Sequence, residues 1–68
     1  MCESKVYIPE KEKKKLVMEE AAKIAVGGDN IKVYGILGNL VEVDDCEIDV
    51  IDLMKHEIVL KKKKIKPQ

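Results

Sequence analysis

Arginine, phenylalanine and tryptophan are absent from this 68-residue chain, and histidine occurs once. Every one of the 13 basic residues is lysine, balanced by 13 acids to a net charge of zero. Arginine is the side chain suited to bidentate reading of phosphate and guanine, and aromatic rings are the platforms on which bases stack. With only two tyrosines, the chain has little of either, and charge neutrality removes bulk electrostatic attraction to a polyanion. No apolar run is long enough to cross a bilayer, and no apolar signal-peptide core follows Met1. A cytoplasmic location is therefore expected, and in a reducing compartment the two cysteines, Cys2 and Cys46, are not expected to form a disulfide.

What is present is a half-apolar chain, 46% hydrophobic, too rich in valine, isoleucine and leucine for a disordered one. Its core must be aliphatic. A single domain of this size buries only about 60% of the surface its unfolded chain exposes, which leaves little room for an enclosed active site. Such a domain commonly relies on a metal or a partner subunit for stability.

Alternation of apolar and polar residues marks most of the strands. Val6 and Ile8 alternate with Lys5 and Tyr7, with Pro9 expected to close the run. The charged stretch Glu10 to Lys15 reads as a solvated loop. Gly27-Gly28-Asp29-Asn30 is a turn cluster, followed by a strand through Ile31 and Val33. Gly35 to Asn39 forms a link, Val41 and Val43 a further strand, and Asp44-Asp45 a break. Ile48 and Val50 start another strand, whose phase slips between Val50 and Ile51 as at a β-bulge. Lys55-His56 is expected to turn the chain into a last strand through Ile58 and Leu60. Turns every eight to twelve residues suggest a small antiparallel barrel or sandwich. Leu16 to Val26 reads either way. Val17, Ala21, Ile24 and Ala25 make a helical stripe, whereas Leu16 with Met18, and Ala22, Ile24 and Val26, make strand faces.

Cys2 carries the sharpest chemistry. If Met1 is removed, the α-amine and thiolate of Cys2 close a five-membered ring on a metal. If Met1 stays, its amine, the Cys2 amide nitrogen and the thiolate form two fused rings. Nitrogen with soft sulfur in a square plane suits Ni(II) or Cu(II). One N,S pair supplies two of four donors, so two chains related by a two-fold axis would complete the set. The plainer reading is a small residue beside a frayed terminus.

The other candidates have simple structural explanations. His56 falls in a turn, where histidine is enriched at positive φ. Cys46 at a strand start is a small, partly buried side chain. Glu42, Asp44, Asp45, Glu47, Asp49 and Asp52 alternate as an outward strand face and lack the glycine pattern of a calcium loop. Lys61 to Gln68 reads as a basic flexible tail that could touch nucleic acid or an acidic partner. No nucleophile–base or paired-carboxylate constellation points to an enzyme.

Met1-Cys2-Glu3-Ser4-Lys5-Val6-Tyr7-Ile8 resembles the opening of the CooT family of small nickel-binding proteins. The similarity continues at Leu16 to Glu20, Gly28 to Val33, Gly38, and Ile51 to Leu60, in order and without a long insertion. It implies an all-β, SH3-like small antiparallel barrel over residues 1–60 that forms a homodimer, with 61–68 as tail. It also implies that Leu16–Glu20 and Lys23–Val26 are strands. By the same resemblance, Ni(II) is held through Cys2 and delivered or stored for maturation of a nickel enzyme such as carbon monoxide dehydrogenase. Relatives also carried an older label of RNA-binding protein, so the alternative is a small RNA-binding or protein-interaction module. Cys46 and the longer basic tail depart from the family's pattern.

Overall fold

The computed structural model describes residues 3–63. Six strands follow one another with no helix among these residues: β1 (Ser4–Glu10), β2 (Lys13–Val26), β3 (Asn30–Gly35), β4 (Leu40–Asp44), β5 (Cys46–Asp52) and β6 (Glu57–Lys62). They form one sheet in the order β4-β3-β2-β1-β6-β5, curled into a half-barrel that brings β3 against β5.

The ambiguous window resolves as one continuous strand. β2 pairs with β1 through Lys13 to Ala21 and with β3 from Ala21 to Val26. Register shifts at Ser4/Val6, Val6/Tyr7 and Ala21/Lys23 insert extra residues. Those bulges break strict alternation, which is why the window also fits a helical period. They also add the local twist that lets one strand serve both parts of a curled sheet.

Three expectations need correcting. The sheet is not wholly antiparallel: β1 and β6 run parallel through Lys5↔Glu57, Val6↔Ile58 and Tyr7↔Val59. The chain's first and last strands become neighbours, a pairing that local alternation cannot reveal. Glu10 to Lys15 is not a loop, because only Lys11 and Glu12 lie outside strands, with Lys11 at φ 60. Lysine tolerates a strand whose far side is open, and the hairpin carries its charges outward. β1 also runs through Pro9, which is paired with Lys14 of β2. On the other side the pairing to β6 ends at Tyr7, so the missing proline N–H breaks no ladder there.

The turns follow local chemistry. Asp45, at φ 58, makes the break between β4 and β5. Its amide donates to the Asp29 carbonyl at 2.6 Å and its carbonyl accepts from the Lys63 amide at 2.9 Å, which draws the end of β4 onto the end of β6. The bulge in β5 falls between Ile48 and Val50, slightly earlier than the phase slip suggested. In the β3–β4 turn, Gly38 takes φ 89, a conformation open to glycine at no steric cost. The Asn39 side chain lies against Gly35 so closely that a Cβ there would force it to move.

The core is small and aliphatic. Val6, Met18, Ala21, Ile31, Val33, Cys46 and Leu60 are buried, and Ile8, Val17, Ile24, Val41, Val43, Ile48 and Ile58 pack around them. Two lysines at the end of β6 and just past it are held. Lys61 pairs with Glu47 at 3.8 Å, and Lys63 reaches Asp29 at 3.4 Å and the Gly28 carbonyl. The rest of the basic tail lies outside the described residues.

Candidate functional site at the start of the first strand

The parallel pairing with β6 fixes where the chain's start lies. The Lys5 amide donates to the His56 carbonyl at 2.9 Å, which ties β1 to the turn between β5 and β6. That turn spans Leu53 to His56, longer than the two residues expected. Asp52 builds it: one carboxylate oxygen accepts from the Met54 amide at 3.1 Å and the Lys55 amide at 3.0 Å, the side chain standing in for a backbone acceptor. His56 closes it at φ 55, the turn role expected of it.

Beside this turn lies an open hollow of about 270 Å³ lined by Glu3, Lys5, Glu19, Glu20, Lys55 and His56. Three carboxylates and two ammonium groups meet there. The Glu3 Oε1 atom is buried and has no hydrogen-bond partner among the described residues. Two apolar side chains project from the same turn with nothing over them: Leu53 is 79% exposed and Met54 91%.

Cys2, the metal ligand expected from the sequence, lies outside the described residues; Glu3 is the first after it. The other expected candidates separate cleanly. His56 comes to the start of β1, a proximity that sequence spacing concealed because it arises from the parallel pairing. Cys46 goes to the opposite end. It faces Lys62 on β6, five residues from the Glu57 that faces Lys5, or about 17 Å along the strand. Its thiol is free and buried. Burial pushes its pKa above the ordinary 9.0, with Asp45 and Asp44 adding to the rise and Lys62 opposing it. Only the thiolate binds metal well, so burial works against metal binding at Cys46. The acids on β4 and β5 do not converge: among the described residues no three His, Cys, Asp or Glu side chains could hold a metal ion. The contributions of Glu3, Glu19 and Glu20 were not foreseen, since bulged β2 hides which of its residues share a face.

The surface offers no base-stacking platform on either tyrosine. The Lys14 ammonium sits 5.1 Å from the centre of the Tyr7 ring and that of Lys23 4.5 Å from Tyr34, so each ring already carries a cation. No helix among the described residues is long and apolar enough to cross a membrane.

Comparison with known proteins agrees with this architecture. No curated protein is significantly similar to the chain. Among solved structures, that of a protein described as CooT from Carboxydothermus hydrogenoformans superposes with a TM-score of 0.79 at 24% identity. The match covers 93% of this chain and all of that one, a likeness of fold. The family model described as CO dehydrogenase accessory protein CooT matches residues 1–61, and the chain therefore belongs to the CooT family, whose members are accessory proteins of CO dehydrogenase and not themselves catalysts.

Proposed function

We propose that this CooT protein binds Ni(II) through Cys2 and stores or delivers it for a nickel enzyme, with CO dehydrogenase as the client. The observation that supports this most is the contrast between the two cysteines. Cys46 is buried, its pKa is raised by that burial, and it lies about 17 Å along β6 from the start of β1, which leaves Cys2 as the thiol whose neighbouring nitrogens in the chain can close a chelate. The chelate forms from atoms adjacent in the chain, so it needs no cage of folded side chains, in keeping with the absence of one among residues 3–63.

In this reading the protein works in the cytoplasm as a homodimer, because one N,S pair fills half of a square plane. The exposed Leu53 and Met54 beside the start of β1 suit the contact between copies. So do the mixed charges of the neighbouring hollow, since a two-fold interface must complement itself. The RNA-binding alternative finds no support in a neutral, arginine-free surface with lysine-covered tyrosines.

Titration with Ni(II) followed in the near ultraviolet tests the proposal. The intact protein should develop a thiolate-to-nickel charge-transfer band that saturates, and Cys2→Ser should not. A band that persists in Cys2→Ser and disappears in Cys46→Ser would overturn it.

A further inference from the structure

At the opposite end of the half-barrel the sheet leaves a cleft that the nickel site does not use. It is an open hollow of about 700 Å³ between the tip of the β1–β2 hairpin and β4, within the usual size range of ligand pockets. Ile8, Leu16, Val17, Val41 and Val43 give it an apolar lining, while Lys11, Lys15, Lys62 and Glu10 supply its charges. Three lysines against one glutamate make it positive in a molecule of zero net charge. The salt bridges among the described residues engage Lys61 and Lys63, the residues on either side of Lys62 in the chain, and none of the three cleft lysines.

The backbone around the cleft is also open. β4 ends the sheet order and pairs with β3 alone, so its outer edge has unmatched amides and carbonyls, a template for an added strand. β2 pairs with β3 only from Ala21 onward, so Lys13 to Glu20 has β1 on one side and no strand on the other.

We propose that this cleft docks an extended segment of another protein in which apolar and acidic residues alternate. Such a segment adds along β4. Its period of two residues turns the apolar side chains onto Ile8, Leu16, Val41 and Val43 and presents the acids to Lys11, Lys15 and Lys62. Charge decides among occupants. The chain's own terminal residues Lys64, Ile65 and Lys66 would add cations to a cationic rim, and a purely apolar segment would leave the lysines unmatched. The inference is independent of the nickel reading, since it uses neither Cys2 nor a metal.

The test uses the metal-free, full-length protein and two labelled nine-residue peptides, one alternating valine with glutamate and the other valine with lysine. Binding is followed by fluorescence anisotropy and by amide shifts in nuclear magnetic resonance spectra. The Val–Glu peptide should shift the amides around Ile8, Leu16, Val41 and Val43 and bind at least about tenfold more tightly than the Val–Lys peptide. The exposed double substitution Lys11→Glu/Lys15→Glu should reverse that preference while leaving the rest of the spectrum and the nickel titration unchanged. Equal binding of both peptides, no binding of either, or shifts confined to other residues would overturn the proposal. So would amide shifts in the cleft that follow protein concentration without peptide, which would make the occupant a second copy of the chain.

Discussion

The two ends of the half-barrel each hold one candidate metal-ligating side chain, and they treat it in opposite ways. At the start of β1, His56 is exposed on a turn built by Asp52 and tied to Lys5, among charges of both signs and beside uncovered Leu53 and Met54. At the far end Cys46 is 2% exposed, packed with Leu60 and Val33 in the core cluster, and its pKa is raised chiefly by burial. A reactive group in the first place meets solvent, whereas in the second it fills space. The comparison teaches that two side chains of ligand type can meet opposite surroundings in one small sheet, so chemical type alone does not identify a ligand in this fold.

The sharpest way to break the comparison is to remove each thiol in turn. Cys2→Ser should weaken Ni(II) binding by about a hundredfold or more, because it removes the soft donor and with it the chelate ring that the thiolate closes. Cys46→Ser should leave it intact; isothermal titration calorimetry would show the difference. Binding should also weaken as pH falls, since the metal must displace the thiol proton.

Much of this fold was legible because alternation is a local signal. β3, β4 and β6 stand close to where Ile31/Val33, Val41/Val43 and Ile58/Leu60 placed them. The continuity of β2 was not legible, since bulges near Val17 and Ala22 disturb the very period that would have identified it. The parallel β1–β6 pair was hidden for a different reason: it joins residues more than fifty positions apart. The site shared that fate. Cys2 stood out by its place beside the terminus, and the His56 turn by its composition. That the turn adjoins the start of β1, with Glu3, Glu19 and Glu20 beside it, follows only from that long-range pairing.

Truncating side chains contrasts the ends through stability. Leu60→Ala, in the core, should cost about 2–5 kcal/mol in denaturant unfolding. Leu53→Ser with Met54→Ser, on the exposed turn, should change the stability of the dilute protein little, roughly within 0.5 kcal/mol per site. The same double substitution should weaken self-association in analytical ultracentrifugation by about tenfold or more, the loss of roughly 1.4 kcal/mol.

Alkaline pH probes Cys46 in place. A thiol whose folded pKa lies above its unfolded value contributes stability that is fully present below the unfolded pKa and is lost as pH rises through the folded one. For Cys46 that loss should begin above pH 9.0, and urea midpoints at neutral and alkaline pH should draw closer together in Cys46→Ala. The last contrast belongs to His56. At φ 55 glycine carries less strain than histidine, so His56→Gly should raise stability by roughly 1 kcal/mol. It should leave nickel affinity unchanged; a loss of affinity with the fold intact would make His56 a ligand.

The central claim, a nickel ion shared between two Cys2 chelates, is met most directly by native mass spectrometry of the protein saturated with Ni(II). The account predicts a dimer carrying one nickel ion, with no metal retained on monomers and none on the Cys2→Ser protein. One nickel ion on each isolated monomer would contradict it.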